Sequence, residues 1–263
     1  MEPNSFWQTQ SSTKPLFPDI EWNKPEQKTH AGKLTIIGGN KLGFMAVSDA
    51  YGLASALGAG QIRAVLPDAL KKSFPAAITD ALFISSNMSG GFDKAAIPEI
   101  VAAANWADAV LLVGDMGRNS ETAMACEQMI DKYSGHLIVT RDAIELLKPV
   151  AERLINRDKT TIVASFAQIQ KLFQNVYYPR ILSFSMQLMQ FADALHKFTI
   201  TYPVTVVTFH QNHLVVAHGG KVISQEFDEP MAIWRGLTAT KISCYLLWNP
   251  TKPLEAIAAS FVS

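Results

Sequence analysis

The chain has 263 residues, and 23 Lys plus Arg balance 23 Asp plus Glu to a formal charge of zero. That neutrality argues against broad capture of nucleic acid or of an anionic membrane, while leaving room for a local phosphate site. Apolar residues at 48% against charged residues at 17% describe a packed globular protein, long enough for one large α/β domain or two small ones. Two cysteines, Cys126 and Cys244, are too few for a disulfide framework, so a reducing, cytoplasmic setting is the expectation.

Residues 1–27 are rich in Pro, Asn, Ser and Gln and read as an arm or loosely docked lead-in, with no basic stretch leading into an apolar core as a signal peptide requires. Residues 28–263 read as one domain. From Lys33 onward, short β-branched runs recur: LTII (34–37), IRAVL (62–66), ALFIS (81–85), AVLLV (109–113), HLIV (136–139), TTIVA (160–164) and TVVTF (205–209). Most are separated by roughly 20–30 residues, the spacing of strand–helix–strand crossovers. They do not alternate strictly, which predicts strands covered on both faces and a mostly parallel sheet between helix layers. None is long enough to span a bilayer.

Between the runs, Ala46, Val47, Ala50, Leu53, Ala54 and Leu57 fall on one helical face, and Gly58 and Gly60 supply a stop. A later helix places Ala125, Cys126, Met129, Ile130 and Tyr133 together, so Cys126 reads as a small core residue, as does Cys244. Near the end, HLVVAH (213–218) follows the turn HQN, and KVISQEF follows Gly219–Gly220, which predicts a small antiparallel meander at the sheet edge. Helices are expected from near Gly236 and after Pro253.

Three strand-to-helix turns are candidates for ligand contact. GGNKLG (38–43) lacks both the Gly-Lys-Ser/Thr of a P-loop and the G-x-G-x-x-G spacing, so on its own it reads equally as a tight turn or a phosphate cradle. GDMGR (114–118) stands at the carboxyl end of another strand, where open parallel sheets bind ligands. In TRD (140–142), Asp142 is expected either to face that cleft or to cap the next helix. His210, His213 and His218 lie close in sequence, but no Cys or carboxylate completes a zinc set. His30 reads as a positioning or surface residue. No G-x-S-x-G elbow is present. Trp234 and Trp248 read as packing residues ahead of ligand platforms.

The segment THAGKLTIIGGNKLGFMAVSDAYGLASALGAG (29–60) resembles the opening of the ADP/ATP-dependent NAD(P)H-hydrate dehydratases, members of the ribokinase-like superfamily often labelled carbohydrate kinase-like. GDMGR is similar to that family's Gly-Pro-Gly-Leu-Gly-Arg turn, one residue short. VTRDAIELL (139–147) is similar to its Asp-Ala-Asp-Ala-Leu segment, with Asp142 at the second acid. MAIWRGLTATKISCYLL (231–247) and PLEAIAAS (253–260) are similar to its closing region.

The resemblance implies a three-layer α/β/α ribokinase-like sandwich with a mostly parallel central sheet and a small antiparallel edge meander. It also implies substrate contacts at Gly38, Gly39, Asn40, Ala46, Gly114, Gly117, Asp142 and Ser165, and nucleotide contacts at Phe209, His210, His213, Arg235, Gly236 and Leu237, with Thr238 at the position of the catalytic Asp. Its ligands are ADP or ATP and NAD(P)H hydrate, with Mg for which no ligand set can be named. A small nucleotide-like partner and a homo-oligomer follow by the same analogy, and neither nucleic acid nor membrane does.

The departures fall where the chemistry belongs. Ser165 and Gln168 stand at the family's His and Glu, Phe209–His210 replace its Lys-Gly, and His213 stands at its Thr. WRGLT (234–238) replaces the glycine-rich anion hole and its Asp. A glycine-lined helix start lets backbone N–H groups approach developing charge, and Trp234, Arg235 and Leu237 put side chains there. A Thr hydroxyl titrates far too high to act as a general base near neutral pH. Reduced or lost dehydratase activity is therefore expected. The alternative is a non-catalytic module binding a nucleotide-like ligand or a protein partner. A small-molecule kinase would need the same missing groups.

Overall fold

The computed structural model describes residues 6–75 and 78–262. Its strands are β1 (Trp7–Gln10), β2 (Lys33–Gly38), β3 (Gln61–Pro67), β4 (Ala81–Ile84), β5 (Ala109–Gly114), β6 (His136–Thr140), β7 (Thr160–Ser165), β8 (Thr205–His210), β9 (His213–His218) and β10 (Lys221–Glu226). The helices are α1 (Met45–Leu57), α2 (Ile97–Trp106), α3 (Ser120–Lys132), α4 (Asp142–Leu146), α5 (Ala151–Asn156), α6 (Phe166–Asn175), α7 (Leu188–Thr201), α8 (Met231–Arg235), α9 (Leu237–Trp248) and α10 (Pro253–Val262). The strands form one sheet in the order β1-β10-β9-β8-β7-β6-β5-β2-β3-β4. Every neighbouring pair is parallel except the two that involve β9.

Burial on both faces explains the unbroken apolar runs. In β5, Val110 and Leu112 enter one core, while Ala109, Leu111 and Val113 enter the other, as the two-residue period of a strand demands. The first core includes Ile100, Met129, Ile169 and Phe198 from α2, α3, α6 and α7; the second includes Val47, Ile242 and Ile257 from α1, α9 and α10. The result is the expected three-layer α/β/α sandwich.

Helix α1 packs on the sheet through Ala46, Val47, Ala50 and Ala54, and it ends at Gly58 in the left-handed region at φ 98°. The five residues assigned to one face of α3 and its end, Ala125 to Tyr133, are all buried. The meander closes on Gln211 and Asn212 with φ 46° and 60°, the paired positive values of the tight hairpin turn that matches strand twist.

The lead-in departs from expectation, although residues 1–5 of it lie outside the described residues. Far from a free arm, β1 extends the sheet beyond the meander, pairing parallel to β10 from Trp7↔Val222 to Gln10↔Gln225. Trp7 Nε1 donates to Ser224 Oγ at 2.9 Å, and Gln10 Nε2 donates to Ala258 O at 2.7 Å. Ile20, in a short 3-10 turn over Pro18–Asn23, is buried in the second core. Polar WQTQ carries no strand signature because an edge strand is held by its ladder and its end residues.

The chain order places a switch point between β2 and β5. From β2 the chain runs outward through β3 and β4, then crosses back to β5 and runs the other way to β8. Carboxyl ends on either side of such a crossing splay apart and leave a crevice. Among the described residues, no helix is long and apolar enough to cross a membrane.

Candidate functional site

Two adjoining cavities, of about 540 and 490 Å³, open at the carboxyl ends of β5 to β8 and share Ser165, Ala167, Ile233 and Trp234. Together they form one cleft under α8. Its outer half is aromatic, walled by Phe166, Phe184, Phe209 and Trp234. Phe166 lies 4.7 Å from Phe184, centroid to centroid, and stacks on His210 at 4.7 Å. Trp234 is half exposed at the mouth. The inner half is polar, lined by Asp115, Arg141, Asp142, Glu145, Gln168 and Lys171.

An ion pair between two turns organises that inner half. Arg141 Nη2 reaches Asp115 Oδ1 at 2.5 Å, and Arg141 Nη1 donates to Trp234 O at 2.7 Å. The other carboxylate oxygen of Asp115, Oδ2, accepts the Ala46 N–H at 3.1 Å, in the first turn of α1. A carboxylate there is favoured by the unpaired amides and the helix dipole.

Both partners are held with unusual backbones. Asp115 has φ 56°, and Arg141 has φ 57° with ψ −138°, conformations that cost a non-glycine residue on the order of 1–3 kcal/mol. Asp142 offsets the first by accepting the N–H groups of Asp115 at 2.7 Å and Met116 at 3.2 Å. Gln168 braces the second, donating through Nε2 to Arg141 O at 2.8 Å. Gln168 is itself fixed by a reciprocal cap with Ser165 at the start of α6.

The residues singled out in the sequence fall in different places. Gly38, Gly39, Asn40, Ala46, Gly114 and Gly117 build the turn scaffold behind the cleft. A Cβ on Gly38 would sit 2.5 Å from Gly114 O, and Gly39 N donates to that same oxygen at 2.9 Å. Asn40 Nδ2 donates to Asp115 O at 2.7 Å, while a Cβ on Gly114 would run into Asp142 Oδ1. Asp142 lines the cleft, but both its oxygens are spent on backbone, and Arg141 rather than Asp142 occupies the cap position of α4. Of the two alternatives for Asp142, the cleft-facing one stands and the helix cap does not.

Ser165, Phe209 and His210 line the aromatic half. His210 is buried and bonds Met186 O through Nε2 at 2.7 Å, which ties β8 to the segment before α7. His213 turns outside the cleft to Gln211 O, and His218 pairs with Thr205 Oγ1 at 2.8 Å, so each of the three histidines has its own partner. Among the described residues, no group of three or more His, Cys, Asp or Glu side chains gathers as metal ligands. Burial pushes both thiols, Cys126 and Cys244, up to about 12, which leaves them inert in the core.

Leu237 and Thr238 open elsewhere. They line a separate cavity of about 220 Å³ with Leu53, Phe227, Lys241 and Phe261, and this cavity shares no lining residue with the cleft. Thr238 Oγ1 is buried without a partner. Burial lowers the Lys241 ammonium from its usual range, against the opposing pull of Glu21 and Glu229. Arg235 is exposed and does not line the cleft. Gly236 takes φ 82° between α8 and α9, where a Cβ would press on Arg141 Cδ and Val113 Cγ2 at 3.2 Å each.

The cleft does not fit a nucleotide phosphate. Its two lining cations are already paired, Arg141 with Asp115 and Lys171 with Glu145 at 3.3 Å. The α1 start is occupied by Asp115, and the α6 start is capped by Ser165. The Asp115–Arg141 pair and the bracing role of Gln168 escaped the sequence reading. The available signal was that GDMGR and TRD follow neighbouring parallel strands, which sets their first residues side by side.

No protein-family model matches this sequence, and no curated protein matches it either. Solved structures do. A ribokinase-like superfamily protein from Enterococcus faecalis V583 superposes with a TM-score of 0.73 at 16% identity, over 98% of this chain and 86% of its own. The ADP/ATP-dependent NAD(P)H-hydrate dehydratase of Bacillus subtilis, co-crystallized with ATP and Mg²⁺, gives 0.59 at 12% identity, over 89% and 79%. A hydroxyethylthiazole kinase from Pyrococcus horikoshii OT3 gives 0.59 at 11%, over 93% and 80%. The fold is therefore ribokinase-like, with kinases and a dehydratase among the proteins that share it.

Proposed function

We propose that this protein is a ligand-binding member of the ribokinase-like fold that performs neither the dehydration nor the phosphoryl transfer named for its structural neighbours, and that its cleft receives a small aromatic molecule. One observation carries the reading: a closed Asp115–Arg141 pair fills the inner end of the cleft, while Thr238, at the position the resemblance gives to the catalytic acid, opens onto a different cavity. A general acid or base has to come within hydrogen-bond reach of the proton it moves. Thr238 supplies neither that reach nor a suitable pKa.

What the residues do support is binding. A planar ring entering under α8 meets Trp234 at the mouth and Phe166, Phe184 and Phe209 within, with each well-placed aromatic contact contributing about 0.5–1.5 kcal/mol beyond area burial. The Ser165–Gln168 cap and the Gln168 bond to Arg141 O keep the wall between the two halves rigid. The architecture it shares with the Bacillus subtilis dehydratase supports a common framework for the two proteins, not a common reaction.

The deciding assay supplies purified protein with NADH hydrate and ADP or ATP and follows the recovery of NADH. No recovery above the buffer rate is expected, with Thr238→Ala indistinguishable from wild type. Robust turnover that Thr238→Ala abolishes overturns the proposal and restores the dehydratase reading.

A further inference from the structure

Among the groups of the cleft, Asp115 is placed where an incoming ligand's charge would go. Its carboxylate sits between Arg141 Nη2 and the Ala46 N–H of α1. A guanidinium and a free helix amide converging on one point make a place for an anion, and here the protein's own side chain fills it. We propose that Asp115 is a specificity-determining residue acting as a resident anion, so that the cleft admits neutral or cationic aromatic molecules and turns away their phosphorylated forms. This deepens the reading of the cleft as a binding site for an aromatic ligand and rests on it.

Three features support the assignment. The first is rigidity. The Asp115 amide is held by Asp142, its carbonyl by Asn40 Nδ2 and its carboxylate by Arg141 and Ala46, so it cannot swing aside as a lid would. The second is charge. Three carboxylates, Asp115, Asp142 and Glu145, face two cations, Arg141 and Lys171, in the polar half. A phosphate dianion would have to break the Arg141 pair or lie against like charge. The third is the opposite half, which is walled by Phe166, Phe184, Phe209 and Trp234, an aromatic lining that suits neutral rings and cations better than anions.

Asp115→Asn and Asp115→Ala test the proposal with inorganic phosphate as probe, comparing melting temperature in phosphate with that in chloride at matched ionic strength. Phosphate is expected to leave wild type unmoved and to raise both variants by mass action at the vacated site. Adding Arg141→Gln to Asp115→Asn is expected to cancel that gain, which a purely structural role for Asp115 would not produce. In parallel, adenosine and nicotinamide riboside are titrated against their monophosphates. Wild type should prefer each nucleoside by about tenfold or more, because like-charge juxtaposition is costly, and Asp115→Asn should shrink or reverse the ratio.

Equal stabilisation of wild type and variants by phosphate overturns the proposal. So does the absence of any gain in either variant while both still melt cooperatively, or a wild-type preference for the monophosphates. If neither nucleoside nor monophosphate binds wild type, the aromatic-ligand reading of the cleft fails, and the phosphate comparison still decides the role of Asp115.

Discussion

Among the described residues, the buried hydroxyls of Thr140, Thr208 and Thr238 have no hydrogen-bond partner. Valine has nearly the shape of threonine and the same branching at Cβ, so Thr→Val at each site removes the stranded oxygen while keeping the rotamer and the packing. Leaving a hydroxyl unpaired in the interior costs about 1–3 kcal/mol on protein mutational scales. Part of that returns as apolar burial, so each variant is expected to gain about 1 kcal/mol, or roughly 2–3 °C in Tm for a chain of this size. Thr205→Val is the contrast. Its hydroxyl bonds His218 Nδ1 at 2.8 Å in a part-buried setting, and losing one partner of such a pair costs about 1–3 kcal/mol. Urea unfolding of all four variants, with unchanged m-values as the check on two-state behaviour, reads the signs directly. Thr238 is the informative member, because the resemblance gives it the catalytic position. If Thr140→Val and Thr208→Val gain stability while Thr238→Val loses about 1 kcal/mol or more, then the Thr238 hydroxyl has a partner in the folded protein, and the reading of it as an unpaired group is wrong.

The Asp142 carboxylate accepts two backbone N–H groups behind the Asp115 turn; Asp142→Asn is expected to cost about 1–3 kcal/mol in urea unfolding, since one donor then faces an amide NH₂. Burial lowers the imidazoles of both His136 and His218 from their ordinary value of 6.5, helped at His136 by Lys159 and Arg157. The unfolded chain then binds more protons than the folded one below about 6.5, so stability is full above that pH and falls as pH drops towards the lowered values. The urea midpoint measured against pH should decline in that window, and His136→Gln should flatten the decline; a midpoint that rises on acidification would contradict the burial argument.

The strands of the main sheet could be read from sequence because each is covered twice. LTII, AVLLV and TTIVA are short β-branched or aliphatic runs without strict alternation, since both faces of β2, β5 and β7 enter a core. The α1 and α3 faces were legible because each helix buries one side only, and the hairpin turn at 211–212 through its polar break between β-branched runs. What stayed hidden depends on partners distant in sequence. Strand β1 has no apolar pattern of its own, and its place comes from Ser224, Gln225 and Ala258. The Asp115–Arg141 pair spans 26 residues and exists because β5 and β6 run parallel in register from Ala109↔His136 to Leu112↔Val139. The direction of Thr238 depends on the left-handed turn at Gly236, which sets the phase of α9. A spacing pattern within one segment carries none of these relations.

That distinction explains why the opening third looks so familiar while the chemistry does not. Gly38 is required because the backbone of β2 passes Gly114 O with no room for a Cβ. Gly58 ends α1 in the left-handed region, and Gly60 backs directly onto the carbonyls of Lys28 and Gly32. Ala46, Ala50 and Ala54 are small because α1 lies flat on the sheet. Each of these residues meets a demand of closing β2 against β5 and seating one helix, a demand that any occupant of this fold must satisfy whatever it binds. Along the cleft lining the sequence parts from the family it resembles at Ser165, Gln168, Phe209, His210 and Trp234. Resemblance through residues 29–60 is therefore evidence about architecture, and the function has to be argued from the cleft.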